Sequence, residues 1–87
     1  MPYIKLEERA KWNEFSKDIC EIIEKTPVEK KEGQLNYLFT KILKGAYPPS
    51  YFNYNRVIGL LECVKQEFYR KDVSKYEEEK IKENGEI

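Results

Sequence analysis

The fold is decided by residues 50–85, SYFNYNRVIGLLECVKQEFYRKDVSKYEEEKIKENG. From residue 51 to residue 71 this stretch has no proline, and its apolar residues recur every three or four positions, as on one face of an α-helix. Asp72-Val73-Ser74 form helix poorly, but we expect the helix to continue to about residue 82 and to stop at Asn84-Gly85. The predicted core-facing arc of this third helix contains Tyr54, Val57, Ile58, Leu61, Val64, Lys65 and Phe68.

Two shorter helices are predicted before this stretch, at about residues 6–25 and about residues 34–46. Thr26-Pro27-Val28-Glu29 is typical of a helix start, with Thr26 as the cap, and it predicts a short helical turn over residues 27–31 that Gly33 interrupts. Pro48-Pro49 ends the second helix, and Ser50 is a good N-cap for the third. The apolar faces of the first two helices contain Trp12, Phe15, Ile19, Ile22 and Ile23, then Leu35, Leu38, Phe39, Ile42 and Leu43.

The sequence therefore predicts an all-α, single three-helix domain over residues 1–87, with a long third helix. Hydrophobic residues make up 40% of the chain, which is too apolar for a disordered protein. A chain of 87 residues buries only a modest core, so that association between copies often supplements its stability. We expect a helical homo-oligomer.

Composition argues against an enzyme and against a general nucleic-acid binder. The chain has no histidine, which removes the commonest general base and a common metal ligand, and Cys20 and Cys63 form no CxxC pair. No catalytic residues, metal or cofactor are predicted. Net charge is zero: residues 32–71 carry six bases and three acids, whereas residues 72–87 carry three bases and six acids. This balance lacks the basic excess of a general DNA binder.

The first residues, MPYIKLEERAKW, lack the apolar run of a signal peptide, and no apolar run approaches the ~18 residues of a membrane span. The sequence predicts a cytoplasmic protein without a membrane partner and with reduced cysteines.

Three short segments carry a family resemblance: Leu35-Asn36-Tyr37, Glu67-Phe68-Tyr69-Arg70 and Glu83-Asn84-Gly85. With their surroundings they resemble a small family of uncharacterised proteins from bacteria, archaea and tailed phages, catalogued as a domain of unknown function. The resemblance covers nearly the whole chain. It implies a helical fold and, for a phage-encoded member, the host cytoplasm. It implies no activity and no catalytic residues.

The side of the third helix that faces away from the predicted core, called the back arc here, predicts how copies associate. In an antiparallel pair whose opposed positions sum to 123, Leu60 meets Cys63, Arg56 meets Glu67 and Asn53 meets Arg70, each contact occurring twice, as a two-fold axis requires. Gly59 and Cys63 are small enough for a close approach. The alternative is a solvated face with a stray surface leucine. The back arc consists of Asn53, Arg56, Gly59, Leu60, Cys63, Glu67 and Arg70.

Aromatic and polar residues suggest a second surface. Tyr47, Tyr51 and Tyr54 lie around the two prolines, close in sequence to Lys44, and could stack on a nucleotide or another planar anion. The alternative is a helical corner closed by aromatic packing. Asn36 is expected to be a cap or turn residue at the start of the second helix. The candidate ligand or partner surface contains Asn36, Tyr37, Lys44, Tyr47, Tyr51, Tyr54, Tyr69 and Tyr76.

Two functions follow as hypotheses. The first is a non-enzymatic homo-oligomeric adaptor that binds another protein. The second is an oligomeric protein that sequesters a small anionic ligand such as a nucleotide. A ligand that binds only the folded state raises its stability, so a thermal-shift screen separates the two.

Overall fold

The computed structural model describes residues 4–87, and every regular element in that range is helical. The chain divides into two units, Met1–Pro48 and Pro49–Ile87. The prediction of one domain over residues 1–87 stays a prediction, and its first three residues lie outside the described part.

The first unit contains two α-helices. A 3-10 turn at Leu6–Glu8 leads into α1, Ala10–Glu24, and α2 follows at Val28–Ala46. The start predicted for the first helix, near residue 6, lies within this turn. The α-helical hydrogen bonds begin after Arg9, whose backbone carbonyl accepts from the Asn13 N–H at 2.8 Å.

The start predicted for the second helix, at residue 34, is wrong, because α2 begins at Val28. Gly33 does not interrupt the helix: glycine lowers helix stability by about 1 kcal/mol but retains its backbone N–H and can adopt helical angles. Thr26 does not cap α2, because Pro27 occupies the cap position. The Thr26 hydroxyl instead lies 3.2 Å from the Ile22 carbonyl and 3.3 Å from Gln34 Oε1.

The second unit is one helical run. α3, Tyr51–Phe68, passes through a π-helical segment, Tyr69–Val73, into α4, Ser74–Asn84. Ser50 is the N-cap that the sequence predicts, and its hydroxyl accepts a hydrogen bond from the Asn53 N–H at 3.1 Å. At the other end Gly85 has a φ of 91°, a left-handed conformation that glycine adopts without a Cβ clash.

The π-helical segment is a feature that the sequence analysis did not predict. The expected continuation of the helix through Asp72-Val73-Ser74 is confirmed, since the backbone stays helical across these residues. Val73 stands at the cap position of α4 with no side-chain cap hydrogen bond. The π-helical segment widens the helix without interrupting its backbone hydrogen bonds. The helical run therefore continues through these weak helix formers.

No residue from 4 to 87 is buried. The residues predicted to face a core are half-buried at best: Leu35, Leu38 and Leu43 of α2 are half-buried, whereas Phe39 and Ile42 remain exposed. The expectation that the apolar stripes close a core within one chain is therefore wrong for the described residues. The stripes form as the periodicity predicts, but the part of the chain that the structure describes does not cover them fully.

Candidate functional site

The most apolar exposed surface of the second unit is a row of five side chains on α3, called the front stripe. These residues share one face of the helix because they are three or four positions apart. Their exposed fractions range from 41% at Leu61 to 67% at Ile58. The front stripe consists of Tyr54, Ile58, Leu61, Val64 and Phe68.

One charged residue, Lys65, lies within the arc of the front stripe. Its ammonium lies 3.1 Å from a carboxylate oxygen of Glu62, and the Gln66 amide donates a hydrogen bond to the other oxygen at 3.0 Å. The hydrogen bond from Gln66, together with that from Lys65, holds the pKa of Glu62 below its ordinary value of 4.5. The charge within the arc is therefore already paired on its own helix.

The polar residues of the back arc pair locally along their helix. Arg56 donates a hydrogen bond to Asn53 Oδ1 at 3.3 Å, and Arg70 forms an ion pair with Glu67. Lys71 lies 4.0 Å from the same carboxylate, and the Glu67 side chain is only 18% exposed. A second copy would thus meet two preformed pairs, and each could bridge to the other copy.

The small and apolar residues of the back arc lie open. A Cβ placed on Gly59 would have nothing within 4 Å, Leu60 is 41% exposed, and Cys63 is an exposed free thiol. α3 carries six of the seven back-arc residues, and Arg70 lies in the π-helical segment that follows. Whether a second copy covers them stays a prediction.

The aromatic residues predicted as a ligand platform fall into both units. Lys44 and Tyr47 belong to the first unit, whereas Tyr51 and Tyr54 belong to the second. Tyr51 pairs edge-to-face with Phe52 at a ring separation of 5.9 Å, and Tyr54 lies on the front stripe. The platform stays a prediction.

Asn36 and Tyr37 lie inside α2, eight and nine residues after its start. The interpretation of Asn36 as a cap or turn residue is therefore wrong, because the helix begins earlier than predicted. The Asn36 side chain pairs with the Thr40 hydroxyl at 3.4 Å. Tyr37 is 65% exposed, with the Lys41 ammonium 5.9 Å from its ring centre.

Tyr69 ties the two sides of the π-helical segment together. Its hydroxyl donates a hydrogen bond to Glu77 Oε1 at 2.6 Å, spanning eight residues from the segment into α4. That hydrogen bond, with the negative charge of Glu77, raises the pKa of Tyr69 above its ordinary value of 10.0. Tyr76 lies on α4 with the Lys80 ammonium 5.6 Å from its ring.

No group of three or more cysteine, aspartate or glutamate side chains within residues 4–87 is arranged to hold a metal ion. In the same range, no helix combines the length and the apolar character needed to cross a membrane. Both cysteines are free thiols on the surface of the described chain.

Comparison with known proteins places the chain in a family. No curated protein and no solved structure matches it. The family described as Domain of unknown function (DUF6899) matches residues 1–87, so the match extends over the whole sequence and includes both units. The chain belongs to this DUF6899 family.

Proposed function

We propose that the chain is a non-enzymatic assembly module, a helical homo-oligomer that completes its core with a second copy and presents its remaining surface to another protein. One observation carries this proposal: no side chain within residues 4–87 is buried. Most of the stability of a helix in a protein comes from packing of its apolar face, and α1, α2 and α3 each leave large apolar side chains exposed. Without burial, the conformational entropy lost on folding has no sufficient offset.

A second copy is the simplest cover for these stripes. A copy is present at the same concentration as the chain itself and carries surfaces of matching size. Closed two-fold pairing is the commonest assembly of soluble proteins. The proposed assembly belongs to the cytoplasm, since both cysteines are exposed free thiols.

The back arc is one surface for this association. In the antiparallel register that opposes Leu60 to Cys63, Arg56 of one copy lies against Glu67 of the other. These charges are already paired along their own helices, so the cross-pairs set the register more than the affinity. Exposed ion pairs contribute only ~0–1 kcal/mol each.

Sedimentation equilibrium of the full chain tests the proposal. We expect a dimer or a higher oligomer at micromolar concentrations. In the back-arc register, Arg56→Glu weakens association because it places two carboxylates together, and Arg56→Glu combined with Glu67→Arg restores it. A folded monomer at high micromolar concentration contradicts the assembly itself. If the chain forms an oligomer whose association is unchanged in both charge variants, only the back-arc register is contradicted.

A further inference from the structure

The side chains of the front stripe have the same chemical kinds in the same order from either end, which those of the back arc do not. The five positions of the front stripe, 54, 58, 61, 64 and 68, are separated by four, three, three and four residues. The side chains follow the same order from either end: an aromatic ring, a β-branched residue, leucine, a β-branched residue and an aromatic ring. The stripe is therefore palindromic about Leu61, in spacing and in kind.

We propose that a second copy of this chain covers the front stripe in antiparallel orientation, with Leu61 next to the two-fold axis. The proposal rests on the self-association proposed above and names its surface. An isologous interface must be complementary to itself, and an antiparallel helix pair reverses the order of residues along the seam. A palindromic stripe satisfies both requirements, because reversal leaves it unchanged.

The pairing that follows is specific. Opposed positions sum to 122, so Leu61 meets Leu61 of the second copy. Tyr54 lies level with Phe68 of the second copy, and this contact occurs twice. The rings at both ends then pack against each other, an arrangement that aromatic side chains favour beyond their burial alone. Ile58 of each copy lies level with Val64 of the other copy. These two aliphatic pairs lie on either side of the central leucine pair.

The exposed area is of the size that a dimer requires. At exposed fractions between 41% and 67%, two aromatic rings and three aliphatic side chains present roughly 600 Å² per copy. A standard interface buries about 800 Å² per partner, and flanking residues of α3 would supply the remainder.

The one charge in the arc is compatible with burial of its neighbours. In this register Lys65 lies level with Val57 of the second copy, where its methylene stem can cover the aliphatic side chain. Its ammonium already lies 3.1 Å from Glu62 on its own helix, near the rim of the contact. Burial of the stripe therefore leaves no unpaired charge at the seam.

Disulfide trapping in the full chain tests this register. The background is Cys20→Ser with Cys63→Ser, and both native thiols are exposed in the free chain. Helix axes pack 8–10 Å apart, which brings the Cα atoms of a residue at the two-fold to within about 6 Å of each other, inside the range of a disulfide. Leu61→Cys in this background should therefore form a covalent dimer under mild oxidation.

Ile58→Cys in the same background is the matched control. It lies on the same exposed stripe, but its two copies are displaced by six residues, or about 9 Å, along the helix axis. Disulfide geometry excludes that separation. We expect Leu61→Cys to form the covalent dimer about tenfold faster or more, and the trapped dimer to keep the helical circular dichroism of the unmodified chain.

The outcomes separate this inference from the proposed function. A dimer in which Leu61→Cys and Ile58→Cys form disulfides at equal rates overturns the Leu61 axis but leaves self-association standing. If Leu60→Cys, made with Cys20→Ser alone, instead becomes trapped with the native Cys63 of the second copy while Leu61→Cys stays reduced, the back arc is the interface. A monomer by sedimentation overturns both proposals.

Discussion

α3 and α4 are parts of one helical run, and their surfaces differ in kind. α3 exposes a row of rings and aliphatic side chains, whereas α4 is covered by charges that pair at short range, such as Lys80 with Glu83 at 3.1 Å. Both are exposed, but water solvates α4 well and α3 poorly. The contrast shows that exposure alone does not identify a binding surface. The apolar or charged character of the exposed side chains identifies it.

The largest expected effect comes from a charge at the centre of α3. Leu61→Asp should weaken self-association by about 3 kcal/mol or more, roughly a hundredfold, because each dimer loses two apolar side chains at the seam and gains two opposed carboxylates. Sedimentation velocity across a concentration series measures the change.

Tyr76→Asp in α4 is the control for this charge. Tyr76 is 58% exposed, as open as the front stripe, but its neighbours are charged. We expect its association constant to stay within about twofold of that of the unmodified chain. Equal weakening by both substitutions would remove the distinction between α3 and α4.

Much of this architecture could be predicted from the sequence, because periodicity and end signals are local. The stripe on α3 follows from side chains three and four residues apart, and Ser50 caps the helix through a hydrogen bond to a residue three positions away. The helical run ends at Gly85, where a left-handed φ favours glycine. Each of these features is decided within one or two turns.

The features that the sequence did not predict have separate physical causes. The start of α2 lies before its predicted position because a 19-residue helix tolerates the cost of about 1 kcal/mol that Gly33 imposes. Burial was overestimated because an apolar stripe indicates that a face needs a cover and does not indicate whether the same chain supplies it. The Tyr69–Glu77 hydrogen bond spans the π-helical segment and joins residues eight positions apart, a spacing that simple helical periodicity does not reveal.

A smaller effect is expected from glycines within the helices. A Cβ at Gly59 or at Gly33 would have nothing within 4 Å, so replacement by alanine should stabilise either helix by about 0.5–1 kcal/mol. In a small domain this gain raises the melting temperature by a few degrees. Circular dichroism melting of Gly59→Ala and Gly33→Ala measures both.

The two alanine variants together test whether the back arc of α3 is covered by another helix. If Gly33→Ala raises the melting temperature and Gly59→Ala lowers it, a neighbouring helix approaches Gly59 more closely than a methyl group allows. That result would favour the back arc as an interface. Equal gains in melting temperature from both substitutions would indicate that no neighbouring helix approaches Gly59 closely.

The pH dependence of the π-helical segment should be confined to alkaline solution. The Tyr69–Glu77 bond raises the pKa of Tyr69, so its contribution to folding is fully present below pH 10.0 and is lost as pH rises through the folded-state pKa. Glu77→Gln should lower the pKa of Tyr69, because it removes the negative charge that opposes ionisation of the phenol. Tyrosine titration followed by NMR, with Tyr69→Phe to assign the signal, would show no such change if the bond is absent in solution.

The smallest expected effect is that of nucleotides on thermal stability. If the rings at the head of α3 formed a stacking site, a nucleotide at 100 times its dissociation constant would stabilise the fold by about 2.7 kcal/mol, a shift of several degrees. Tyr51 and Phe52 pair edge-to-face, so the two rings do not form a parallel pair between which a base could stack. We expect shifts below about 1 °C, within the range of weak nonspecific effects. A shift that is lost in Tyr51→Ala but kept in Tyr76→Ala would instead identify the head of α3 as a ligand site and favour sequestration over assembly alone.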